Sequence, residues 1–279
     1  FAGVIMKFSN NEVSLKSKIT ATILCKFYVI PAILVSIFLI LLPPRLIAAQ
    51  VDPNNPNIIN VPGDYPSIAN ALANAVEGNI IVLAPGTYNE NELDVNKNDI
   101  TIASGYLTTG DESYIDNTII QGDPLTYFIT GLQGQSRNLK IIGLTIRESL
   151  KAITFHDANG EVHYCKIYDT GKGNNPGEAD SIGFDKYAGG GTVTHCLIDN
   201  SRDDGIDIDA EYNSGEFVIA YNIITNSQDD GMEIRLFPQD NVTISYDVHD
   251  NLWSGSQEDG IQLIDYDGNN ASARTFNIY

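Results

Sequence analysis

The chain has 279 residues, with 16 Lys/Arg against 36 Asp/Glu and a formal net charge of −20. A field of that sign repels nucleic acid and anionic lipid and favours cation binding, so nucleic acid is excluded as a partner and an acidic polymer is admitted only with cations in between. Length alone permits one large domain or two small ones, and three cysteines are too few for a disulfide framework.

Phe1 is not an initiator, so residues 1–5 read as upstream translation and Met6 as the start. Lys7, Lys16, Lys18 and Lys26 precede a mostly apolar run, FYVIPAILVSIFLILL (27–42), which Pro43, Pro44 and Arg45 break before the small residues near Ala49. A basic stretch, an apolar stretch and a small-residue cleavage point describe an export signal over residues 1–49; an uncleaved anchor is the alternative. The remaining 50–279 keeps 11 Lys/Arg and 35 Asp/Glu, a net charge of −24. It is expected to be secreted or held at the cell surface, outside the bilayer, as a monomer.

Residues 60–90 read NVPGDYPSIANALANAVEGNIIVLAPGTYNE. Ser67 can cap a short helix in which Ile68, Leu72 and Val76 share a face, ending at Gly78. NDITIASG, NTIIQGD and NLKIIGLTIRES follow as short β-rich runs divided by Asn, Asp and Gly. From residue 162 the phrases VHYCKIYDT, VTHCLIDNS, VIAYNIITNS and VTISYDVHDN recur, each followed by a second strand: DSIGF, DDGIDID, DDGMEIR and EDGIQLI. The steps from Asp180 to Asp204, Asp230 and Asp259 are 24, 26 and 29 residues. Such a period is that of a solenoid whose units bury a core only against their neighbours, and the short β-branched strands make its coils β.

The opening helix and strand resemble the N-terminal cap of right-handed parallel β-helix proteins, the pectin-lyase-like group, in which a helix plugs the first coil. The expected fold is therefore all-β: a right-handed parallel β-helix solenoid over 50–279 with a short N-terminal capping helix. An immunoglobulin-like sandwich would explain short strands but not a phrase returning at near-constant spacing. The last residues, FNIY, offer no cap for the final coil. An open coil would leave an unpaired sheet end, so the native protein is expected to continue.

Equivalent residues of neighbouring coils stack about 4.8 Å apart. Alternation sends Ile206, Ile208, Met232 and Ile234 inward and Asp207, Asp209, Glu233 and Arg235 outward. Asp180, Asp204, Asp230 and Asp259 then form one ladder at a turn. Stacked carboxylates either raise one another's pKa or demand a counter-ion, and an all-oxygen cluster suits Ca²⁺. The plainer reading is turn chemistry, with Asp bonding nearby backbone and Gly accepting positive φ.

The stretch ADSIGFDKYAGGGTVTHCLIDNSRDDGIDI (179–208) resembles the core of family 9 pectate lyases through Asp180, Phe184, Lys186, the glycines 189–191, Cys196, Asn200, Ser201, Asp203, Asp204, Gly205 and Asp207. The resemblance implies Ca²⁺ held by Asp180, Asp203, Asp204 and Asp207, and cleavage of an acidic polysaccharide by β-elimination. It puts Glu233 where the family has its catalytic lysine; Arg235, two residues on, or Lys186 would then be the base. Tyr187, Tyr212 and Phe237 could line sugar subsites. The competing class is a non-catalytic surface or adhesion module, with calcium structural or absent. Cys165 and Cys196 occupy matching places in successive repeats and read as buried packing rather than a disulfide. His156, His163, His195 and His249 read as packing or surface.

Overall fold

The structure is a computed structural model that describes residues 50–131, 138–156, 159–171, 179–237, 242–266 and 273–279. The expected export signal, 1–49, lies outside the described residues. Among the described residues, the strands form three sheets of nine, seven and seven, every pairing parallel. From Ile80–Leu83 on, successive strands enter the three sheets in turn, as Gly191–Thr194, Leu197–Asp199 and Ile206–Ile208 do. We call these the first, second and third sheets. The fold is an all-β parallel β-helix, and no helix among the described residues is long and apolar enough to cross a membrane.

Alternation in each strand aims every second side chain at the axis. Ile153, Ile182, Ile206 and Met232 stack in register in the third sheet and are fully buried. Ile146, Ile167, Ile198 and Ile224 do the same in the second sheet. Phe155, Phe184, Phe217 and Tyr246 run between them at centroid spacings of 5.0, 5.2 and 5.5 Å. Burying each such side chain is worth about 1.5–3 kcal/mol, which only the stacked neighbour coils make available.

The corner between the first and second sheets is two residues long in every coil from Ile142 on. Its first residue is left-handed: Gly143, Tyr164, His195, Tyr221 and Asp250 have φ between 53° and 67°. Four of these five carry a side chain in a conformation that costs free energy. Each is held by its amide, which donates to the next coil: Tyr164 to Thr194 O at 3.1 Å, His195 to Ala220 O and Tyr221 to His249 O at 3.3 Å. The rings of Tyr164, His195 and Tyr221 stack at 4.7 and 5.1 Å, so His195 is a packing residue. Cys165 and Cys196 are the second residues of their corners, buried, without a disulfide and in adjacent coils.

Two local expectations are corrected. The cap helix runs only over Ile68–Asn74, because Ala75 turns to an extended ψ of 152°. Ala71 joins Ile68 and Leu72 on the buried face, while Val76 is 64% exposed. Gly205 and Gly231 of the Asp-Asp-Gly phrases have no positive φ. They are glycine because a Cβ there would lie 2.6 and 2.5 Å from the carbonyl oxygens of Gly231 and Gly260 in the next coil.

The cap helix also gains a partner from 22 residues downstream. Ser67 accepts the Asn70 amide at 3.1 Å, and the two oxygens of Glu90 accept the amides of Ile68 and Ala69, each at 2.8 Å. A carboxylate on the free N–H groups of a helix start matches both their hydrogen bonding and the helix dipole. Glu90→Ala is therefore expected to lower stability by about 1–2 kcal/mol in a urea titration, and Glu90→Gln by less.

Candidate functional site

The pairings that stack Ile182, Ile206, Met232 and Ile261 place Asp180, Asp204, Asp230 and Asp259 in one column two residues earlier, as expected from the repeat. The column has a structural use of its own. Asp204 Oδ1 accepts the amide of Asp230 at 2.9 Å, and Asp230 Oδ1 accepts that of Asp259 at 2.7 Å. Each carboxylate thus ties its coil to the next. One coil before Asp180, the column holds Lys151, whose Nζ lies 3.4 Å from Asp180 Oδ2.

Asp207 and Glu233 are in register on the outer face of the third sheet, with Asp209 and Arg235 two residues further along the same strands. Arg235 Nη1 donates to Asp207 Oδ2 at 3.0 Å and to Asp209 Oδ1 at 3.1 Å, and Nη2 contacts Glu233 Oε1. Asp180, Asp203 and Asp204 each offer an oxygen within 4.8 Å of the others, and so do Asp204, Asp207 and Glu233. Asp204 belongs to both trios. Six carboxylates, Asp180, Asp203, Asp204, Asp207, Asp209 and Glu233, therefore face two cations, Lys151 and Arg235.

Burial and mutual repulsion set the protonation of the group. Asp204 is pushed up to about 10, first by burial and then by Asp180, Glu233, Asp207 and Asp203. Burial, then Asp180, pushes Asp203 up to about 6. Burial raises Glu233 to about 7 against the pull of Arg235. Asp180 and Asp207 are raised as well, again chiefly by burial. Burial opposes the charge of Arg235, but Asp207, Asp209 and Glu233 outweigh it and hold the guanidinium above its ordinary value. Asp204, raised furthest among those with a value, stays ionised at neutral pH only with another cation beside it.

The donor set fits a hard cation. Asp180, Asp203 and Asp204 give three carboxylates, to which Asp207 can add a fourth through its shared neighbour Asp204. Asp207 and Glu233 are engaged on one side by Arg235, and Asp180 by Lys151.

Of the two basic residues read from the sequence, Arg235 joins the cluster. Lys186 instead lies 3.6 Å from Glu211 Oε2 and over the Phe237 ring at 5.2 Å. Tyr187 and Tyr212 stack at 4.8 Å and are 39% and 42% exposed, while Phe237 stacks on Tyr266. These aromatics border the third sheet on the side of its C-terminal strand ends.

The outer face continues past the acids. Beside them lies a cavity of about 330 Å³ lined by Asp94, Tyr127, Thr130, Lys151, Thr154 and His156. Tyr127 Oη donates to Asp94 Oδ1 at 2.8 Å, and His156 Nδ1 contacts Asp185 Oδ2. Sequence reasoning did not find Lys151, Tyr127 or the cavity. The signal was available in the register, since Lys151 and Tyr127 precede Ile153 and Ile129 as Asp180 precedes Ile182.

Fold and site together define a class: a parallel β-helix with a mostly buried carboxylate cluster, joined through Lys151 to a neighbouring cavity. Among solved structures, the chain is similar to the alginate lyase from Paenibacillus sp. str. FPU-7, at 16% identity over 70% of this chain and 95% of that one, with a TM-score of 0.31. A likeness of that size bears on no residue and on no mechanism. No family model matches the chain, and no curated protein does.

Proposed function

We propose that the protein is an exported lyase that cleaves a uronic-acid polysaccharide by β-elimination with the help of Ca²⁺. The observation that carries this reading is the convergence of six carboxylates from three neighbouring coils on only two cations, Lys151 and Arg235. Asp180, Asp203, Asp204 and Asp207 would hold the ion. When bound, it would supply positive charge to the substrate carboxylate, acidifying the neighbouring C5 proton and offsetting the repulsion expected from an acidic protein.

The elimination itself removes the C5 proton, forms the C4–C5 double bond and breaks the bond from C4 to the linking oxygen, which leaves protonated. Arg235 and Lys186 are the proposed proton acceptors. Arg235 is the better placed, yet it is held charged by Asp207, Asp209 and Glu233. Asp207 belongs to both sets, so a cation bound there would loosen the hold on the guanidinium, with Asp209 and Glu233 still engaging it.

A second reading, a non-catalytic surface module, is favoured by the backbone amides that Asp204 and Asp230 accept, a purely structural use of the ladder. Calcium titration by calorimetry, followed by ultraviolet absorbance of unsaturated products from pectate and alginate, separates the two. Binding with product formation is the expected result. Binding without product selects the surface module, and absence of both overturns the lyase reading and its metal.

A further inference from the structure

The cavity beside the carboxylates spans three coils of the third sheet. Asp94, Thr130 and Thr154, which line it, stand in register on the strands Leu93–Val95, Ile129–Gly131 and Ile153–Phe155. Two coil steps give it a length of about 10 Å along the solenoid axis. Its volume of about 330 Å³ is in the range of sites that hold a small organic ligand.

The lining suits hydroxyl groups. Tyr127, Thr130 and Thr154 each bring a hydroxyl to it. Burial, then the bond to Asp94, pushes the Tyr127 phenol up to about 12, so it stays protonated. Tyr127 Oη donates to Asp94 Oδ1 at 2.8 Å. Asp94 is exposed, and a carboxylate can accept several hydrogen bonds at once.

The charges in and around the cavity do not call for a second carboxylate. Lys151 is paired with Asp180, and His156 with Asp185. Even with His156 protonated, these two cations stand against three carboxylates, Asp94, Asp180 and Asp185. A cation on Asp180 leaves an oxygen for Lys151, since a carboxylate has two and the ammonium lies against Oδ2.

We infer that the cavity is a subsite for an uncharged sugar, and that the preferred substrate is a mixed polymer in which a neutral sugar neighbours the uronate held at the cation. Asp94 sets the choice. It accepts hydroxyl protons from a neutral ring and repels a carboxylate brought to the same place, so one side chain both attracts the right sugar and rejects the wrong one. The inference rests on the lyase reading and deepens it by naming the class of polymer.

The test is isothermal titration of galacturonate trimers into the full chain at saturating calcium, with all carboxyls intact and with one residue reduced to the primary alcohol. The singly reduced trimers are expected to bind about tenfold more tightly or better, because no carboxylate then faces Asp94. Asp94→Asn keeps an acceptor for Tyr127 and removes the charge. It is expected to bind calcium as the wild type does and to shrink the preference to about twofold or less, chiefly by strengthening the intact trimer. If the wild type binds intact and reduced trimers equally, or if Asp94→Asn keeps the full preference, the neutral subsite is overturned while the lyase reading stands. If the wild type binds no trimer of either kind, the lyase reading falls and takes the subsite with it.

Discussion

Asp204→Asn is expected to abolish calcium binding, with an affinity loss of at least a hundredfold by calorimetry, while the solenoid stays folded. Asp204 is the one residue common to both carboxylate trios, so its charge is felt by each. The substitution separates the two uses of the side chain. An asparagine oxygen can still accept the Asp230 amide, now made at 2.9 Å, whereas the negative charge is gone. If calcium affinity survives, the ladder is turn chemistry and the metal proposal falls.

The same variant has a signature in the absence of calcium. A carboxyl whose pKa rises from about 3.9 in the unfolded chain to about 10 in the fold binds its proton more tightly when folded. Its contribution to stability is complete below pH 4 and is lost as pH rises towards 10. Asp203, at about 6, and Glu233, at about 7, add losses over the lower part of that window. The carboxylates lowered by local bonds, such as Asp185 and Glu161, act near and below pH 4 and do not oppose this trend above it. Calcium-free wild type should therefore melt roughly 5 °C or more lower at pH 9 than at pH 5, and Asp204→Asn should flatten the slope. Calcium should restore the wild type at pH 9, because the ion replaces the missing protons.

Arg235→Gln is expected to destabilise the calcium-free protein by about 2–3 kcal/mol in guanidinium titrations, the largest loss from any single surface-facing side chain of the third sheet. The Arg235 side chain is only partly buried, 29% exposed, so the full cost of breaking a deeply buried ion pair does not apply. What remains is the repulsion among Asp207, Asp209 and Glu233, which lose their shared partner at once. The variant should bind calcium more tightly than the wild type, since the cation competes with no guanidinium. A stability loss below about 0.5 kcal/mol, the level of an ordinary exposed ion pair, would show that the contacts are loose in solution.

The repeat made the axial geometry legible. Ile206, Ile208, Met232 and Ile234 point inward, and the aspartates at 180, 204, 230 and 259 share a column, because alternation and coil spacing leave no other solution. The two cysteines stack unbonded for the same reason. What stayed hidden joins residues with no common phrase. Lys151 sits in SLKAITF, far from Asp180 in sequence, and meets it only through the pairing of Ile153 with Ile182. Glu90 reaches the helix start by the same kind of lateral contact. The glycines of the Asp-Asp-Gly phrases were legible as special, but for the wrong reason: close stacking and not backbone hand decides them.

The two-residue corner has an evolutionary corollary. From Ile142 onward it never changes length, and its left-handed residue is pinned by a hydrogen bond from its amide to the next coil, so an insertion there would unlatch every layer above it. The connections that flank the third sheet are under no such rule. Six residues separate Asp199 from Ile206, thirteen separate Tyr168 from Ile182, and four separate Phe155 from Gly160. Added length is thereby tolerated at the two flanks of the third sheet, beside the carboxylates, while the spacing of the spine is kept.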